Sequence, residues 1–200
     1  MPFTAAIVAS VLVYIWFVEG NASDRLVYIP AAIVIVLTVW HNVRHREWGF
    51  SWRALGPGLR VALTITLPLT LLILGIGAAI GTIHDRRDFL GHLAGLFVWG
   101  AAQQWVLQTV VVREAQRATS RNAGIVAAAL LFGGIHMPNP FLAPVTAGAA
   151  LIWGWLYDRH PNIVPVALSH ALGTLAILYA FDERITGRLR IGASYLRLEL

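Results

Sequence analysis

From Phe89 to Val112 the chain runs 24 residues without a single Asp, Glu, Lys or Arg. As a helix such a run is about 36 Å long at about 1.5 Å per residue, and the hydrocarbon core of a bilayer is about 30 Å thick. A stretch of that length and character reads as a transmembrane helix, and it is one of several. Overall the chain is 58% hydrophobic and 12% charged, with a mean hydropathy of +0.68. That is too apolar for an ordinary soluble domain.

Seven apolar runs follow one another: Phe3–Val18, Leu26–Trp40, Leu59–Ile83, Phe89–Val112, Gly124–Ile135, Ala143–Tyr157 and Ile163–Phe181. Pro68 is expected to kink the third run. Gly77 with Gly81, and Gly91 with Gly95, offer small-residue faces for helix packing. The segment "HNVRHREWGFSWRALGPGLR" joins Arg44, Arg46, Arg53 and Arg60 to Trp48, Phe50 and Trp52, an interface pattern at the edge of spans. "HMPNP" carries two prolines and ends the fifth run. No internal repeat or soluble linker interrupts the pattern. The expected organisation is one all-α polytopic bundle of about seven spans over residues 1–181, with a polar tail over 182–200. The alternation of Leu189, Ile191, Leu196, Leu198 and Leu200 in that tail suits a short strand or a segment docked on a partner.

All 15 basic residues are Arg and there is no Lys, which points to a GC-rich genome rather than to a function. With an N-terminus on the cytoplasmic side, the inner loops hold Arg44, Arg46, Arg53, Arg60, Arg113, Arg117, Arg121 and Arg159, against Arg25, Arg86 and Arg87 outside. The positive-inside rule favours that orientation in an inner membrane, although seven spans then put the basic tail outside. The same rule accounts for a pI near 10.4 without any nucleic-acid partner. The absence of cysteine excludes disulfides, thiol nucleophiles and Cys-metal sites. The first run lacks a basic n-region and is expected to be a retained helix.

Within the runs the polar exceptions are His92, Gln103, Gln104, Gln108, His136, Ser169 and His170. Polar groups at membrane depth need partners and often line a functional cavity. Gln104 lies nine residues before Arg113, and His170 eight residues after Asn162, about 12–13 Å from the inner boundary. His136 lies twelve residues beyond Gly124, about 18 Å in. Gln104 and Gln108, four apart, share a helix face. Each residue alone is more simply a polar tie between helices. The set at comparable depth favours a buried polar site. His92, almost three turns before Gln103, is expected to bond to another helix, and Ser169 to its own helix backbone.

The order of these residues resembles the CPBP family, the CAAX-protease and bacteriocin-processing (Abi) intramembrane peptidases, with a core over residues 89–181. "FGGIH" supplies Phe132 and His136 of the family's FxxxH motif, and "NIVPVALSHALGT" resembles its last motif, with His170 in place. Where the family carries EExxxR, this chain reads "QQWVLQ": Gln103, Gln104 and Gln108. Thr174 stands where the family has Asn. The resemblance implies a CAAX-type intramembrane endopeptidase, with His136, His170, Gln104, Gln103 and Gln108 at the catalytic positions. Gln keeps the size and hydrogen bonding of Glu but accepts no proton. Losing a general base typically costs about 10²–10⁴-fold in rate.

Two expectations follow. One is a peptidase of reduced activity, with His136 and His170 activating water, acting on a membrane protein or peptide. The other is a non-catalytic relative, a scaffold or partner-binding subunit whose pocket holds a helix, lipid or pigment. A divalent metal on His136 and His170 is a third, thinner reading, since zinc sites use three or four protein ligands.

Overall fold

The computed structural model describes residues 1–19, 24–84 and 88–198, with Asp24 and Arg25 described by backbone alone. The expected loops at 20–23 and 85–87, and Leu200 of the tail alternation, lie outside the described residues. The described residues are almost wholly helical. The helices are α1 (Pro2–Val13), α2 (Tyr28–His45), α3 (Trp52–Ala79), α4 (Phe89–Val106), α5 (Arg113–Ala118), α6 (Arg121–Ile135), α7 (Leu142–Arg159), α8 (Ile163–Ala180), α9 (Glu183–Thr186) and α10 (Gly192–Leu196). Each apolar run of the sequence forms a helix. By length and composition, α3 and α8 are the two long and apolar enough to cross a membrane, and α6 and the first run are shorter apolar helices.

Helix ends follow local chemistry. Ser120 caps α6 by accepting from the Ala123 amide, Asn162 caps α8 from Val164, and Asp182 caps α9 from Ile185. Helix α2 stops where Arg46 turns left-handed (φ 53°). Helix α3 begins at Trp52, seven residues before the apolar run, and runs on through both Pro57 and Pro68. Two stretches are wound as π turns, Tyr14–Val18 after α1 and Leu107–Val112 after α4.

The chain divides into two compact units. The first comprises Met1–Trp48, Val106–Gly154 and Leu189–Leu200. At one end of it the Thr4 amide donates to Glu114, Arg113 to Glu47 and Arg117 to His41. At the other, Gly192 and Arg190 meet Met137 and Asn139, and Ser194 meets Glu19.

The second unit comprises Gly49–Trp105 and Trp155–Arg188, and its spine is the pair α3 and α8. Gly58 meets Pro165, Thr66 donates to Ser169 (2.7 Å), and Gly77 lies against Ala180. The partners advance together along both helices, so α3 and α8 run parallel. Their starts are joined by Ser51 N–H to Pro161 O (3.0 Å) and Ile163 N–H to Gly49 O (2.8 Å). Their ends are joined by Thr82 Oγ1 to Ala180 O (2.6 Å) and His84 N–H to Tyr179 O (2.9 Å).

Several glycines act otherwise than expected. Gly77 does pack, but Gly81 lies past the end of α3 with φ +73° and nothing against its α-carbon. Gly91 faces the Asp88 carboxylate and Gly95 faces open space, so neither packs on another helix. The packing glycine of α4 is Gly100, beside His170.

Burial departs from that of a soluble domain. Gln104, Gln108, His41, Asn42, Asn139 and Asn162 are among the largest fully buried side chains, whereas Leu90, Phe17, Leu71, Val98 and Leu130 are exposed. Large apolar groups outside and amides inside suit a chain whose solvent is lipid, where a polar group must find its partner within the protein.

Candidate functional site

In the second unit, α4 and α8 bring Gln104 and His170 together. Gln104 is wholly buried, and its amide nitrogen lies 3.2 Å from His170 Nδ1. The close approach needs Gly100, one turn before Gln104: a β-carbon there would lie 3.3 Å from the imidazole Cγ and 3.4 Å from the Ala167 carbonyl. An amide N–H can only donate. It therefore meets a bare Nδ1, and the ring proton sits on Nε2. Gln103, the preceding residue, is half-buried.

In the first unit, His136 ends α6 and is 8% exposed. Its Nδ1 lies 2.6 Å from the Phe132 carbonyl, which can only accept, so the proton is on Nδ1 and the lone pair on Nε2. The Phe132 ring lies edge-on to the imidazole at 4.7 Å. Phe132 and His136 thus form a local pair, one helical turn apart. Gln108, wholly buried, lies in the π turn Leu107–Val112 of the same unit.

One expected role changes. His92 is exposed and bonds to the Asp88 carbonyl (2.8 Å), a local bond at the start of α4 rather than a tie to another helix. Ser169 also receives a bond from Thr66 on α3, which ties two helices.

A buried polar chain escapes the sequence reading. Arg117 donates to His41 Nε2 (3.1 Å), His41 Nδ1 lies 3.1 Å from Asn42 Oδ1, and Asn42 Nδ2 donates to Thr109 Oγ1 (3.0 Å). One tautomer satisfies all three links, with the imidazole proton on Nδ1. His41, Asn42 and Thr109 are wholly buried. The signal was present in "HNVRH", where two uncharged polar residues follow directly on an apolar run, as the glutamines do. Beside this chain, Glu114 accepts from the Thr4 amide (2.8 Å). Burial alone would raise the Glu114 carboxyl, but the Thr4 amide, the N-terminal charge and the Phe3 amide together hold the group below its ordinary value.

Large apolar side chains exposed along several helices, with histidines paired to buried amide and carbonyl groups, suit an integral-membrane helical protein. The family model of the Rce1-like type II CAAX prenyl endopeptidases matches residues 69–176, a little over half of the chain. The chain belongs to that family, a branch of the CPBP intramembrane proteases. No curated protein and no solved structure matches it.

Proposed function

We propose that this chain is a CAAX-type intramembrane endopeptidase of reduced rate, its charged first motif replaced by Gln103, Gln104 and Gln108. The observation that carries the reading is the buried His136, whose Nδ1 is held on the Phe132 carbonyl so that Nε2 keeps a lone pair able to take a proton from water. His170 is assigned to the same chemistry by its place in the family's last motif. Gln104 fixes the His170 ring; being an amide, it cannot also act as base.

The reading takes residues 1–181 as one functional domain, embedded in a bacterial inner membrane with its N-terminus cytoplasmic, and a membrane peptide as substrate. A divalent metal on His136 and His170 is its weaker form. Two imidazoles without a carboxylate are a thin donor set, and no step here is routed through one.

A second reading has its own support: the amide of Gln104 is engaged with His170, as a purely structural tie would be. The chain would then be a scaffold holding a partner helix, lipid or pigment. The test is complementation of cells lacking the protein with His136→Gln and His170→Gln. Precursor peptides that accumulate while the variants remain folded support the hydrolase. Intact complexes and no accumulated precursor support the scaffold.

A further inference from the structure

The last residues of the chain lie beyond the matched region 69–176, yet they close onto the turn that carries His136. Gly192 N–H donates to Met137 O (3.0 Å), and Asn139 Nδ2 donates to Arg190 O (3.0 Å). The other end of the Asn139 amide points the opposite way, accepting from Phe141 N–H (3.0 Å) and Leu142 N–H (2.9 Å) at the start of α7. Asn139 N–H itself donates to His136 O (3.2 Å). One wholly buried amide thus joins the His136 turn, the start of α7 and the tail.

The tail is anchored on its other side as well. Gly192 is left-handed (φ +57°), and a β-carbon there would lie 2.5 Å from the Ile15 carbonyl oxygen in the π turn after α1. Ser194 donates to Glu19 (3.2 Å), and Arg190 pairs with Glu19 at 3.5 Å. Just before these anchors, Arg188 and Leu189 are both left-handed, at φ 51° and 53°. Non-glycine residues hold such angles only where surrounding contacts impose them.

We propose that residues 189–198 form a strap that sets the orientation of the His136 imidazole, with Asn139 and Gly192 as positioning residues. The strap fixes Met137 and Asn139, and these bracket the turn after His136. The turn in turn holds the ring where Nδ1 meets Phe132 O and Nε2 faces away from it. The proposal deepens the reading of His136 as base. Its test does not depend on hydrolysis.

The full chain is labelled with ¹⁵N-histidine and studied in detergent micelles, the His136 ring signals being assigned through His136→Gln. Three variants are compared. Asn139→Asp keeps an acceptor for the α7 amides but loses the donation to Arg190. Gly192→Ala adds a β-carbon where only hydrogen fits, and Ser194→Ala removes one of the two bonds to Glu19 and leaves the Arg190 pair. Trypsin cleavage in the tail reports strap release in each.

The expected result is tail cleavage at least about tenfold faster in Gly192→Ala and Asn139→Asp, since local opening governs such cleavage. The His136 nitrogen shifts should move with it, while the other six histidines stay in place. Gly192→Ser should not rescue, because the obstacle is the β-carbon itself. Release of the tail with His136 signals unmoved overturns the proposal, and so does a Gly192→Ala chain whose tail stays shut. A protein inert toward peptides whose His136 still responds to the strap keeps this inference and removes the peptidase reading.

Discussion

Replacing Gln104 by Glu tests the chemistry most directly. The side chain is wholly buried and its nitrogen lies 3.2 Å from His170 Nδ1. A carboxylate has no proton to give, so the bond survives only if His170 moves its proton from Nε2 to Nδ1 and becomes the donor. The new bond is charge-assisted, about 1.5–3 kcal/mol against about 0.5–1.5 for the neutral one. Burying the carboxylate costs several kcal/mol, so the single substitution should lower stability by about 2–3 kcal/mol net. Gln108→Arg added to it restores the charge balance of the motif and should recover part of that loss.

A restored base is typically worth about 10²–10⁴-fold, or about 3–5 kcal/mol of barrier, less whatever the N–H that His170 gives up at Nε2 contributed. The assay is cleavage of a fluorogenic CAAX peptide in micelles, with ¹⁵N spectra of His170 on the same sample. Turnover rising with a proton now on Nδ1 is the expected outcome. A His170 whose Nδ1 stays bare refutes the hydrogen-bond assignment. A tautomer that switches without any gain in turnover refutes the idea that the missing base is what limits the enzyme.

Gly77→Val should lower thermal stability by about 1–3 kcal/mol, because a β-carbon there overlaps the Ala180 backbone and must part α3 from α8; unchanged melting would disprove that close approach. The Glu114 carboxyl titrates below its ordinary value, so its contribution is complete above the unfolded carboxylate pKa and is lost as pH falls through the lower folded one. Glu114→Gln should therefore destabilise the chain at neutral pH and flatten the acid side of its stability profile, and parallel acid profiles for the two proteins would count against it.

Helix positions were legible because each apolar run is long and its ends carry prolines, arginines or capping residues. The family was legible from Phe132, His136 and His170 in order. The π turn at Leu107–Val112 was not, since all six residues of "LQTVVV" are buried and no polar/apolar alternation marks the extra residue per turn. The link from Arg117 through His41 and Asn42 to Thr109 joins residues up to 76 positions apart, and pairing at that distance is a property of packing, not of periodicity. In the tail, alternating leucines suggested a strand, yet the chain there takes short helical turns around Gly187–Leu189 and α10. Left-handed Gly187 and Gly192 break any extended register, and Arg188 and Leu189 follow the same bend.

The side-by-side, same-direction course of α3 and α8 sets a rule of parity. Two neighbours that cross a membrane in one direction begin on one face and finish on the other together. If α3 and α8 both cross, the segment from Ile80 to Asn162 returns across the bilayer an odd number of times. Residues 49–51 then share a compartment with 161–163, and residues 82–84 share the opposite one with 179–180. A cysteine introduced at Ser51 and another at His160 would be labelled from the same side by an impermeant reagent, and one at Thr82 only from the other.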